Sequence, residues 1–178
     1  MIKYLGSKRT LVPTLVKLVE ALPQVSSVLD VFSGTARVGY GLKQAGFQVF
    51  ANDHNAYAAT LARCYVQADK GVWSKDAMRL INELNQLGPT PGYFTETFCE
   101  QSRFFQPKNG ARIDAMREQI SAWSLEPELE AVLLVSLMEA ADRVDSTCGV
   151  QMAYLKKWAP RAHNDITLRP PELLERPQ

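Results

Sequence analysis

The sequence predicts an α/β fold: the first half of a doubly wound parallel sheet, followed by a mainly helical inserted lobe. Three observations predict it. Val28-Leu29-Asp30-Val31-Phe32 is an apolar, β-branched run that breaks into Ser33-Gly34-Thr35-Ala36, and a periodic segment, Val38 to Ala45, follows and is closed by Gly46. These features read as a buried strand, a tight small-residue turn and a helix. Second, Phe47 to Ala51 reads as another strand, ending in Asn52-Asp53. Third, strand signals largely stop after Gly88-Pro89-Thr90-Pro91-Gly92, a turn-rich connector.

In chain order, Lys3 to Arg9 is a short basic opening. Thr10 can cap a helix with Leu11, Leu15, Leu18, Val19 and Leu22 on its apolar face, and Pro23 ends it. The two strands and their intervening helix follow. Asn55 or Asp53 precedes a helix over Ala56–Val66. Lys75 to Leu87 is amphipathic, with Met78, Ile81, Leu84 and Leu87 on one side. The order α-β-α-β-α-α suits half of a doubly wound sheet. Beyond the connector, Phe94 to Gly110 is aromatic and basic, and a helix is expected from about Ala111 to Trp123. Pro127 opens another, with Glu126 and Glu128 around its first turn. Its body, Leu129 to Val144, is apolar on most faces and reads as buried. The expected divisions are 1–88, 89–165 and a proline-containing tail, 166–178.

Composition narrows the function classes. The chain has 178 residues, 46% of them apolar, with 20 basic against 19 acidic side chains. It is neither a disordered chain nor a globally basic nucleic-acid coat, so any nucleic-acid surface must be local. Cys64, Cys99 and Cys148 form no C-x-x-C pair, which argues against a structural metal or disulfide framework. No signal-peptide pattern and no run long enough to span a bilayer occur, so a cytoplasmic protein is expected. His54 and His163 have no neighbours that would make either a general base.

The strand-turn-helix stretch is a nucleotide-binding corner. Small residues let a ligand approach the backbone, and the helix N-terminus offers free N–H groups. Asp30 stands where the strand ends, and Asp53 lies about 20 residues past the glycine turn, where a carboxylate can take ribose hydroxyls. The spacing is not G-x-G-x-x-G, since Ala36 stands two residues after Gly34, and this counts against an oxidoreductase using a dinucleotide.

Three motifs in order resemble one family. They are Lys3-Tyr4-Leu5-Gly6-Ser7-Lys8, then Asp30-Val31-Phe32-Ser33-Gly34-Thr35-Ala36-Arg37-Val38-Gly39, then Asn52-Asp53. Together they look like the N-terminal part of a Dam-type adenine-specific DNA methyltransferase. Gln101-Ser102-Arg103-Phe104-Phe105 and Asp142-Arg143-Val144-Asp145-Ser146-Thr147 extend the likeness over essentially the whole chain. The resemblance implies a partial Rossmann-like sheet that binds S-adenosylmethionine, a lobe that recognises double-stranded DNA, and a place in restriction-modification. It implies that Tyr4 packs on the cofactor and Lys8 helps hold it. Asp30, Phe32 and Gly34 would line the cofactor turn, and Asp53 would take the ribose. In the lobe, Arg103, Lys108, Arg143, Lys156 and Lys157 are the candidate DNA contacts, while Phe104 and Phe105 read first as core.

Two departures from the pattern stand out. The family usually has glycine where this chain has Ala36, so a methyl group either crowds the cofactor or is absorbed by the backbone geometry. The family also uses [DNS]-P-P-[YF] to accept the hydrogens of the adenine amine and to stack the flipped base. The one Pro-Pro here, Pro170-Pro171, lies between Arg169 and Glu172, and arginine is a donor only. The chain is therefore expected to be inactive alone, truncated or dependent on a second polypeptide that carries the catalytic strand, with an open apolar sheet edge. The alternative is a non-catalytic module that binds S-adenosylmethionine or DNA.

Overall fold

The computed structural model describes residues 8–148 and 153–177. Its strands form a two-stranded parallel sheet, β1 (Ser27–Asp30) beside β2 (Gln48–Ala51). The register pairs Leu29 with Phe50 and Asp30 with Ala51. Both strands alternate between exposed and half-buried positions. The sequence suggested a buried strand, yet only one face is covered. Val28 and Val49 face inward, while Leu29 (62% exposed) and Phe50 (53%) stand in register on the open face.

Helix α1 (Val12–Glu20) precedes β1. Thr10 does not cap it. A 3-10 turn, Lys8–Thr10, leads in, and Leu11 holds the cap position without a side-chain bond. Nor is the Leu11, Leu18 and Leu22 face packed, since all three are exposed. The contact with α2 (Arg37–Gln44) runs instead through Val12 and Val16, because Gly41 lacks the Cβ that would overlap Val12. Gly46 closes α2 at φ +92°, with Gly46 N–H on Lys43 O and Phe47 N–H on Leu42 O, a glycine-dependent C-cap.

After β2 come α3 (Ala56–Ala62), a π-helical turn (Arg63–Gln67) and α4 (Lys70–Gln86). Asn55 caps α3 through Tyr57 N–H at 2.9 Å. Asp69 caps α4 through Gly71 N–H at 2.7 Å, which starts that helix before the periodic stretch that signalled it. Beyond the connector lie α5 (Tyr93–Thr95), a second π-helical turn (Glu96–Glu100), α6 (Pro107–Ala122) and α7 (Pro127–Asp142). Asp114 on α6 holds the start of α5, accepting from the N–H groups of Gly92, Phe94 and Thr95 and from the Thr95 hydroxyl. As the sequence suggests, α7 is buried on most faces, and Val132, Leu133, Val135 and Ala140 have no exposed surface.

One apolar core runs from Ala36 and Tyr40 through Leu61 and Leu84 to Met116 and Val132, crossing the connector. The final segment belongs to it. Ile166, Leu168 and Leu173 are buried, and Pro171 is buried with them. The segment has no partner strand among the described residues, so side chains take its backbone groups. Asn109 accepts from Ile166 N–H, Asn85 accepts from Leu168 N–H, and Ser136 donates to Arg169 O. What reads as a tail in the sequence is an extended strap across the helices. No described helix is long and apolar enough to cross a membrane.

Candidate cofactor site and basic face of the lobe

The carboxyl ends of β1 and β2 converge on the turn Ser33–Ala36. The strand ladder continues through Asn52 N–H on Asp30 O (2.8 Å) and Ser33 N–H on Asn52 O (3.0 Å). Gly34 sits at φ +52°, a conformation glycine adopts freely, and a Cβ there would meet nothing within 4 Å. The space beside it is open. Gly34 N–H donates to Asp53 Oδ2 at 2.8 Å, and Asn55 N–H donates to Oδ1 of the same carboxylate at 3.0 Å. These backbone donors, Asn55 first and then Gly34, hold the Asp53 carboxyl below the usual range. Each carboxylate oxygen accepts two hydrogen bonds, so acceptor capacity remains for hydroxyls of a ligand.

Asp30 lies across the same corner. Its Oδ2 is buried and makes no hydrogen bond among the described residues. Burial raises its pKa, the positive charge of Lys8 lowers it, and the charge of Asp53 raises it again. Lys8, Asp30, Gly34 and Asp53 therefore share one corner. Phe32 projects from it, 79% exposed. Tyr4 lies outside the described residues. The N-terminus of α2 opens at the same place, with Ala36 at the cap position making no side-chain bond to it.

Ala36 adopts φ +58°, ψ 11°, the left-handed region that disfavours a β-carbon, and it is wholly buried in the apolar core. Its methyl group is buried among the core side chains. A groove of about 1040 Å³ runs beside the outer edge of β2 and meets this corner only at Asn52 and Asp53.

The basic candidates in the lobe separate into two kinds. Arg103 donates to Lys156 O at 2.9 Å and lies 4.8 Å from the centre of the Trp158 ring. Lys108 bonds His163 O and pairs with Asp165 at 2.6 Å, and Arg143 donates to Thr167 O. These three tie the later chain onto the helices. Lys156 and Lys157 are exposed. They follow Tyr154, which is bridged antiparallel to Thr147 and packs edge-on against Phe104. Phe104 and Phe105 sit in a chain of contacting rings that includes Phe94 and Phe98, with Tyr93 and Tyr154 exposed at its ends.

The sequence placed Asn52 in a motif without a role of its own; its Nδ2 donates to Val31 O at 3.0 Å. Tyr40, to which the sequence gave no role, is buried beside Glu172 of the strap. Burial first, then the Glu172 charge, pushes the Tyr40 hydroxyl's pKa up. An asparagine directly before the strand-end aspartate was the available signal for Asn52. Nothing local signalled Tyr40.

Residues 4–176 match the family described as D12 class N6 adenine-specific DNA methyltransferase. The chain is 33% identical over 149 residues to the type II methyltransferase M.NlaIII of Neisseria lactamica, covering 79% of this chain and 44% of that one. It is 28% identical over 183 residues to modification methylase StsI of Streptococcus sanguinis, and 29% identical over 186 residues to the type II methyltransferase M.FokI of Planomicrobium okeanokoites. Each of those two alignments covers 94% of this chain and 28% of the relative. The chain thus spans less than half the length of these relatives. No solved structure matches it.

Proposed function

This chain belongs to the D12 class N6 adenine-specific DNA methyltransferase family, and on that premise we propose that it holds S-adenosylmethionine and presents it to adenine in double-stranded DNA. The observation that carries the reading is the corner itself: open space at Gly34, the N-terminus of α2 beside it, and two carboxylates at the ends of adjacent parallel strands. On this reading the two strands are the centre of a Rossmann-like sheet. The cofactor supplies a methyl group on a cationic sulfur. The chain's own residues do the rest. Asp53, ionised and fixed by Gly34 and Asn55, accepts ribose hydroxyls. Asp30, whose pKa burial raises and the nearby charge of Lys8 partly brings back, meets the cationic end from the same corner. Tyr4 and Phe32 supply apolar surface.

DNA is held electrostatically, with Lys156 and Lys157 as phosphate contacts and Arg103 fixing the segment that carries them. Lys108 and Arg143 contribute through that same scaffold. Transfer further requires acceptors for the adenine amine hydrogens, with the amine roughly 3 Å from the donor methyl. No [DNS]-P-P-[YF] occurs in these 178 residues, so the chain by itself binds cofactor without transferring methyl. The test is titration calorimetry with S-adenosylmethionine, paired with transfer of labelled methyl to adenine-containing duplex DNA. Binding that Asp53→Ala weakens, without turnover, is the expected pair of results. No binding at millimolar cofactor refutes the cofactor reading. Turnover by the chain alone refutes its inactivity, and turnover only after adding a polypeptide bearing the motif identifies a split enzyme.

A further inference from the structure

We propose that Asn52 is the positioning residue of the cofactor-binding turn, through the hydrogen bond from its side chain to Val31 O; this rests on the S-adenosylmethionine reading above. Asn52 N–H bonds Asp30 O at 2.8 Å, in step with the pairing of Asp30 and Ala51. In a regular parallel ladder the next rung would join Asn52 O to the amide of Phe32. Instead Ser33 N–H fills it, at 3.0 Å. The chain after β1 has gained one residue against β2, which is the geometry of a bulge.

The bulge re-aims the side chains that follow. Phe32 turns out to solvent and Ser33 turns inward, where it is buried. The next amide, Gly34 N–H, then falls on Asp53 Oδ2 at 2.8 Å. In the regular alternation of β1 the Val31 carbonyl would point away from β2, and the bulge instead leaves it on the Asn52 side, within reach of a donor. Asn52 Nδ2 supplies it at 3.0 Å. Asn52 thus grips the bulge at three points: its N–H and C=O from the backbone, and its carboxamide from the side chain.

The residue type follows from the chemistry. The group opposite is a carbonyl, so the side chain must donate. Aspartate of the same shape would set a carboxylate against Val31 O and beside the Asp53 charge. Alanine would leave the bulge with no side-chain support. In either case Gly34 loses its fixed position over Asp53, and the cofactor must order the turn as it binds.

The experiment compares the wild-type chain with Asn52→Asp and Asn52→Ala, by amide hydrogen exchange without ligand and by calorimetric titration with S-adenosylmethionine. We expect faster exchange at Ser33 and Gly34 in both variants, with the amides of α4 and α7 unchanged. Affinity should fall by about threefold to tenfold, the size of one hydrogen bond. Unchanged exchange at Ser33 and Gly34 overturns the proposal. So does acceleration spread equally over α4 and α7, which would make Asn52 a general stability residue. If the wild-type chain binds no cofactor, the cofactor reading fails and the exchange data alone decide whether Asn52 holds the turn.

Discussion

Replacing Ala36 with glycine tests the geometry of the cofactor turn quantitatively. At φ +58° an L-residue carries a left-handed penalty of about 1–2 kcal/mol that glycine escapes. Two losses oppose the gain. The methyl group is fully buried, and its removal costs about 0.8 kcal/mol of transfer free energy. The freer unfolded glycine chain costs a further 0.4–1 kcal/mol or so. The terms nearly cancel, so the expected change in stability is within about 1 kcal/mol of zero. Ala36→Val, bulkier and β-branched at the same angles, should cost more than about 3 kcal/mol. Urea unfolding at constant m-value measures both. Cofactor affinity of Ala36→Gly should stay within about threefold of wild type, because the methyl faces the core. Stabilisation by more than about 1.5 kcal/mol would mean that strain outweighs packing at this site. A tenfold or greater gain in affinity would place the methyl in the cofactor's path and refute the inward orientation.

Asp114→Ala removes the acceptor of the Gly92, Phe94 and Thr95 N–H groups, of which that of Thr95 is buried, and should cost about 1–3 kcal/mol in urea unfolding. The Asp114 carboxyl is held below its usual pKa; burial raises it, but the Thr95, Phe94 and Gly92 donors outweigh that. Its stabilisation is therefore present above the unfolded value near pH 4 and is lost as pH falls through the lower folded value. The variant's stability should depend less on pH in that acidic window than wild type's does. At Gly110 a Cβ would overlap Cys99 Sγ and come within 3.2 Å of Thr95 Oγ1. Gly110→Ala should cost about 1–3 kcal/mol, part of which Cys99→Ala recovers in a double-mutant cycle. In the lobe, Lys156→Ala/Lys157→Ala should weaken DNA binding and lower the salt dependence of affinity by about two ions. Lys108→Ala, which breaks an internal tie to His163 and Asp165, should lower thermal stability while leaving the salt slope as it is.

Features legible in the sequence were those coded within a few residues. The turn at Gly34, the cap at Gly46, Asn55 before α3 and Pro127 at the start of α7 each act on their own neighbours. The burial of α7 follows from its composition alone. Asp53 was legible because a strand followed by an acid is a local pattern, and the family likeness rested on three such patterns in order. Tertiary structure decided the rest, through partners far along the chain. Asp114 serves donors about 20 residues away, and Asn85 holds a strap 83 residues away. Arg103, Lys108 and Arg143 read as free cations until their carbonyl partners, 24 to 55 residues on, are in place. The left-handed angle at Ala36 and the bulge at Val31 and Phe32 are imposed by packing and by β2, and neither residue type asks for them. A residue's own chemistry sets what it can bond. Only the closed fold determines whether that capacity is spent inside the molecule or left to face a ligand.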